Sequence, residues 1–142
     1  MIIIESPRTK EDFKAYYHLR FKVLRDPIGQ PHGSEKDDYE PISKHYMAVD
    51  SETDEIVGVV KLFEKDAETG QFSHLAVAEA YQKRGIGRQL IAKVEEVARE
   101  SGYKKLGTLT RLTATGFYER CGYEAKGITG VLFGRMQIIY II

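Results

Sequence analysis

After Gly85 the apolar residues fall at Ile86, Leu90, Ile91, Val94, Val97 and Ala98, with polar and charged residues between them. That spacing puts them on one face of a helix. Gly102 closes the pattern, since a residue without Cβ suits the left-handed turn that ends helices. A helix is therefore predicted over 86–101. Another is predicted from Lys10 to Leu24, with Thr9 and Asp12 as a cap pair at its start. Apolar runs bounded by turn residues predict strands over 1–6, 44–50, 55–64 and 69–77. Asp50-Ser51-Glu52-Thr53-Asp54 and Asp66-Ala67-Glu68-Thr69-Gly70 read as turns between antiparallel neighbours. Further along, the pattern predicts a strand over 105–110, a helix over 113–121, and strands over 123–128 and 132–141. The stretch from Arg25 to Pro41, punctuated by Pro27, Gly29, Pro31 and Gly33, is predicted to be irregular. Antiparallel strands first and strand-helix-strand units afterwards predict an α/β sandwich around a mixed sheet.

The chain has 142 residues, which predicts a single domain over 1–142. Acidic and basic residues balance at 21 each, so nothing points to bulk binding of nucleic acid or an anionic membrane. Met1-Ile2-Ile3-Ile4 is too short for a signal peptide and runs into Glu5. No apolar run approaches membrane-spanning length. The lone Cys121 has no partner for an internal disulfide, which fits a reducing, cytoplasmic location. His18, His32, His45 and His74 show no metal-ligand spacing, so no metal is expected.

The chemistry concentrates between Leu75 and Leu90. An apolar strand ends at Leu75-Ala76-Val77, a polar turn follows, and Gln82-Lys83-Arg84-Gly85-Ile86-Gly87-Arg88 opens the predicted helix. Glycines at 85 and 87 let a ligand approach the backbone closely. The first amides of a helix lack intrahelical partners and carry partial positive charge, which suits a diphosphate. Lys83, Arg84 and Arg88 add formal charge. A dinucleotide fold would need a third glycine where Leu90 stands. The rival reading is an ordinary strand-to-helix turn whose glycines relieve crowding.

Gln82-x-x-Gly85-x-Gly87 after Leu75-x-Val77 resembles the acyl-CoA signature of the GNAT superfamily of N-acetyltransferases. Ala114-Thr115-Gly116-Phe117-Tyr118-Glu119-Arg120-Cys121-Gly122-Tyr123 resembles that family's C-terminal motif, and the two stand in the family's order. The resemblance implies a GNAT-like three-layer sandwich around a mixed, mostly antiparallel sheet. It implies an enzyme that moves an acetyl group from acetyl-CoA to a primary amine of a small molecule or peptide, by direct attack in a ternary complex. The cofactor-binding residues would be Leu75, Ala76, Val77, Gln82, Lys83, Arg84, Gly85, Ile86, Gly87 and Arg88. The strand ending at Val77 would splay from its neighbour and pair with the pantetheine arm. Tyr118 would be the general acid for the leaving thiolate; on the residues alone it also reads as half of an aromatic core pair.

The family's usual base positions hold Gln71 and Ser73, neither of which is basic. Strand alternation places His74 on the opposite face from 71, 73 and 75, so it reads as packing or lining rather than a base. Water or Glu64 would relay the proton. Arg111 stands where many members have Asn, and would be either a structural ion pair or an anchor for the cofactor loop. Cys121 reads as a small packing residue, not a nucleophile. The acceptor region is expected in Arg25 to Pro41, where one or two of Glu35, Asp37, Asp38 and Glu40 would meet a cationic amine. Leu19-Arg20-x-x-Val23-Leu24-Arg25 followed by Gly33-Ser34-Glu35-x-Asp37 also resembles acyl-homoserine-lactone synthases. That enzyme, or a non-catalytic acyl-CoA sensor, is the alternative. The apolar C-terminal run from Leu132 to Ile142 is expected either to be an edge strand that pairs two chains into a homodimer or to lie inside one chain's sheet, buried on both faces.

Overall fold

The computed structural model describes residues 1–111, 114–127 and 135–141, with Arg111, Gly127 and the last seven described as backbone. In chain order the elements are β1 (Ile2–Glu5), α1 (Lys10–Leu24), β2 (Lys44–Asp50), β3 (Glu55–Asp66), β4 (Thr69–Val77) and α2 (Ile86–Glu100). β5 (Lys105–Arg111), α3 (Thr115–Arg120), β6 (Glu124–Gly127) and β7 (Arg135–Ile141) complete the order. One seven-stranded sheet runs β1-β2-β3-β4-β5-β7-β6. Among the described residues only β4 and β5 pair in parallel; the other neighbours are antiparallel. The crossover that a parallel pair requires is supplied by α2.

Alternation along the strands builds two cores. Tyr46, Ala48, Val60 and Leu62 meet Leu90, Ile91 and Val94 of α2 on one face, and Met47, Val59 and Ala76 meet Tyr16 of α1 on the other. A three-layer sandwich results. The cap pair at α1 forms in both directions: Asp12 N donates to Thr9 Oγ1 over 3.0 Å, and Thr9 N donates to Asp12 Oδ2 over 3.3 Å. Gly58 lets α2 lie close to the sheet, since a Cβ there would sit 2.9 Å from Leu90 Cδ1 and 3.1 Å from Ile86 Cγ2. The irregular connection from Arg25 contains two short 3₁₀ turns, Asp26–Ile28 and Glu40–Ile42. Among the described residues no helix is long and apolar enough to cross a membrane.

Two expectations need correction. First, the C-terminal strand is not an edge. β7 is hydrogen-bonded to β5 on one side and β6 on the other, so its backbone is already satisfied within the chain. The edge-strand argument for a dimer therefore lapses at β7; residues 132–134 and 142 of the run lie outside the described residues. Second, β4 does not alternate evenly. Val59 faces Ala76 and Lys61 faces Ser73, so two residues of β4, His74 and Leu75, oppose the single Val60. This is a β-bulge. His74 takes the left-handed conformation at φ 55°. It therefore shares the α1 face with Ser73, whose hydroxyl lies 3.2 Å from His74 Nδ1, while Leu75 packs toward the α2 core.

Candidate active site

β4 and β5 are paired from Thr69↔Lys105 to Phe72↔Thr108 and no further. Beyond that point the two strands part, and among the described residues the backbone of β4 from Ser73 to Val77 has no ladder partner on the β5 side. A cavity of about 800 Å³ opens along this gap. It is bounded by the end of α1, the bulge of β4, Thr108 to Thr110 of β5, the start of α2 and the aromatic face of α3.

At one end lies the start of α2. Gly85 is its N-cap at φ 81°, and the first intrahelical bond comes from Gln89 N to Gly85 O over 3.1 Å. The amides of Ile86, Gly87 and Arg88 are thus left without helical partners. Gln82 Nε2 donates to Val77 O over 3.0 Å, tying the loop back to the strand. A Cβ on Gly87 would stand 3.3 Å from Phe117 Cζ, so this glycine keeps the space between helix and aromatic ring open. Arg88 Nη2 donates to Arg120 O over 3.3 Å, across the same entrance. Leu75, Ala76, Val77, Gln82, Lys83, Gly85, Ile86, Gly87, Arg88 and Tyr118 all line the cavity. Ile86 does so at the helix start while its side chain is buried in the core. Arg84 does not line it; its guanidinium lies 5.0 Å over the Tyr81 ring.

Tyr118 is 5% exposed and packs against Phe72, Phe117 and Tyr123. Burial pushes its hydroxyl above the ordinary phenol range, against an opposing hydrogen bond with Thr110. It therefore keeps its proton across the physiological range. Cys121 is half-buried at the C-terminus of α3, and burial raises its thiol pKa as well, so it lacks thiolate character.

The opposite end of the cavity meets a buried polar network on the α1 face. Arg20, wholly buried, bonds Glu40 Oε1 at 2.9 Å, the Glu35 carbonyl at 3.0 Å and the Tyr16 hydroxyl at 2.9 Å. Lys61, equally buried, bonds Glu40 Oε2 at 2.8 Å and pairs with Asp37. Burial acts to raise the Glu40 pKa, but Arg20, Lys61 and the Asp37 amide outweigh it and hold the carboxyl well below its usual range. The Glu35 carboxylate accepts from the Gly33 amide at 2.8 Å. Arg25 donates from Nε to the Ser34 carbonyl at 3.0 Å, and its Nη2 lies 3.4 Å from His74 Nε2. Burial, then the charges of Arg20, Lys61 and Arg25, push His74 down to about 2. It is a neutral imidazole, unfit to take a proton from an ammonium.

Sequence reasoning brought the loop, the strand end and Tyr118 to one place, but it missed Arg20, Lys61 and Arg25 as a group. The available signals were a lone lysine inside the apolar run Val57-Gly58-Val59-Val60-Lys61-Leu62-Phe63, and Tyr16 and Arg20 one helical turn apart. Of the carboxylates expected to meet an amine, Asp37 and Glu40 are instead joined to Arg20 and Lys61, and Glu35 accepts from the Gly33 amide. Glu64 lies outside the cavity, accepting from the Tyr103 hydroxyl at 3.1 Å. The Arg111 side chain lies outside the described residues.

The profile of the Acetyltransferase (GNAT) family matches residues 10–123, an interval that contains both the Gly85 loop and the Tyr118 helix. The chain belongs to this family. A Bacillus subtilis protein described as an acetyltransferase is 22% identical over 139 residues, covering 96% of this chain and 92% of its own. Among solved structures, a Lactobacillus plantarum protein described as an N-acetyltransferase superposes with a TM-score of 0.84 at 24% identity, covering 97% of this chain and 95% of its own. A GNAT family acetyltransferase from Elizabethkingia anophelis with acetyl-CoA bound gives a TM-score of 0.75 at 23% identity, covering 99% and 98%. This GNAT acetyltransferase thus shares its fold with relatives far apart in sequence. The bulged β4 and the α2 start bound one continuous groove within it.

Proposed function

We propose that the protein transfers an acetyl group from acetyl-CoA to a primary amine of a small molecule or peptide, by direct attack within a ternary complex. One observation carries this reading: the gap between β4 and β5 joins an open helix start at one end to a protonated, buried tyrosine along its wall. The Elizabethkingia relative with acetyl-CoA bound supports the donor. The amides of Ile86, Gly87 and Arg88, with Lys83 and Arg88 beside them, would hold the diphosphate. The unpaired edge from Leu75 to Val77 would hold the pantetheine arm by strand-like hydrogen bonds. Acetyl-CoA, when bound, supplies the activated acyl group as a thioester. Tyr118 would give its proton to the departing thiolate, a task suited to a phenol. A protonated, half-buried Cys121 supports direct transfer over a covalent relay.

The test is turnover of acetyl-CoA with a panel of primary amines, followed by free-thiol release. Acetylated product with at least one amine, and no mass increase on the protein mixed with acetyl-CoA alone, is the expected outcome. A stable acetyl adduct at Cys121 that chases into product would replace direct attack with a two-step scheme. Tight acetyl-CoA binding without transfer to any amine would make the protein a sensor.

A further inference from the structure

A second recess, of about 430 Å³, lies between α1 and residues 32–36, and acetyl transfer makes no use of it. α1 contributes Lys10, Lys14 and His18, which stand four residues apart and so share one face of the helix. The facing segment contributes His32 and Lys36. All five side chains are exposed. None of the three lysines makes an ion pair among the described residues. The acid that lines the recess, Glu35, is 6% exposed, and its carboxylate accepts from the Gly33 amide. Lys10 is also the first residue of α1, where the helix dipole disfavours a cation, and Lys14 repels it from the next turn. The chain keeps a row of cations that weakens its own helix.

We infer that this recess docks an extended acidic peptide. The row from Lys10 to His18 covers eight positions, about 12 Å at the rise of a helix. An extended chain advances about 3.3 Å per residue, so about five consecutive acidic residues span the row. A single phosphate would need donors that converge, and the α1 start offers none. Its capping box is closed: Asp12 N donates to Thr9 Oγ1, and the Arg8 and Thr9 amides donate to Asp12 Oδ2. A membrane surface would need an open apolar face, whereas here the rings lie beneath the basic side chains. Lys36 Nζ rests 4.4 Å over the Tyr17 ring, and the His32 ring stacks on Phe21 at 4.0 Å. That stacking holds Lys36 and His32 in place, so less side-chain freedom is lost on docking. The last turns of α1 serve both hollows: Phe21 lines the recess, and Val23 and Leu24 line the cavity. A protein carrying an acidic stretch would thus be held near the end of the cavity that α1 bounds.

Fluorescence anisotropy of fluorescein-labelled pentaglutamate with the wild-type protein reads the docking directly. Saturable binding is expected, weakening as salt is added. Unlabelled diglutamate should compete poorly, and labelled pentaglutamine should not bind. The triple variant K10Q/K14Q/K36Q should weaken pentaglutamate by about tenfold, the combined worth of three exposed ion pairs. K44Q/K65Q/K105Q removes the same net charge at exposed positions outside the recess and should leave binding unchanged. Equal weakening by the two triple variants would reduce the effect to net charge and overturn the inference. Pentaglutamine binding as tightly as pentaglutamate, or no saturable binding of either, would do the same. Single-stranded DNA or tripolyphosphate that displaces pentaglutamate from the same lysines as well as unlabelled pentaglutamate does would replace the peptide with a general polyanion.

Discussion

At the scale of single residues, Gly87 and Tyr118 make the sharpest claims. The 3.3 Å between a would-be Cβ at 87 and Phe117 Cζ leaves no room for a branched side chain. Gly87→Val should abolish acetyl-CoA binding by calorimetry and leave the far-ultraviolet spectrum of a folded domain; unchanged affinity would remove the helix start from the donor site. Tyr118→Phe keeps the ring among Phe72, Phe117 and Tyr123 and removes only the hydroxyl. Turnover should fall by about 10²-fold with donor affinity unchanged. An unaltered rate from pH 6 to 9 would make this tyrosine a packing residue. Both positions were legible in the chain, because glycine spacing and an aromatic pair are local features. Arg20, Arg25 and Lys61 were not, because a buried cation declares itself only when folding brings partners to it from 9 to 49 positions away.

At the scale of elements, the helices and strands were legible because each carries its own period, and the caps and turns agree with it. The face of His74 was misread. Nothing between Phe72 and Ala76 marks a bulge, since neither glycine nor proline interrupts the run. A single added residue turns every later side chain over. The pattern that pairs Arg20 and Arg25 with Ser34 and Glu35 has a structural role: the two arginines fasten the α1–β2 connection through the carbonyls of Glu35 and Ser34. Glu40 joins three elements, receiving Arg20 and Tyr17 of α1 and Lys61 of β3. Glu40→Gln leaves two buried cations without their shared anion. It should cost about 3–5 kcal/mol of unfolding free energy in urea, the usual loss when one partner of a buried pair is removed. A loss under about 1 kcal/mol, the size of an exposed pair, would show that the cluster is solvated.

At the scale of the whole molecule, burial and charge make stability fall as pH drops below neutral. His74 binds a proton at about 2 when folded against 6.5 when free, so the unfolded chain takes up the proton first as pH falls. Its contribution is complete above about 6.5 and is lost below it. Glu40, lowered from 4.5, adds its loss only at more acidic pH. Unfolding free energy at pH 7 should exceed that at pH 5 by about 2 kcal/mol on account of His74. His74→Gln should shrink the difference by that amount in paired urea titrations, and an unchanged difference would place the titration elsewhere. A last consequence belongs to the parting of β4 from β5. The strands β5, β7 and β6 are stitched to the rest of the sheet by the short register from Thr69↔Lys105 to Phe72↔Thr108. With so few shared backbone bonds, the C-terminal third has the makings of a separate cooperative unit, able to open while β1 to β4 stay closed. A donor lying along the seam would bridge both parts. At a hundred times its dissociation constant, CoA should then slow amide hydrogen exchange in β5 and β7 by about 2.7 kcal/mol equivalent. Exchange in β2 should barely change, and equal slowing in β2 and β7 would show that the sheet opens as one piece.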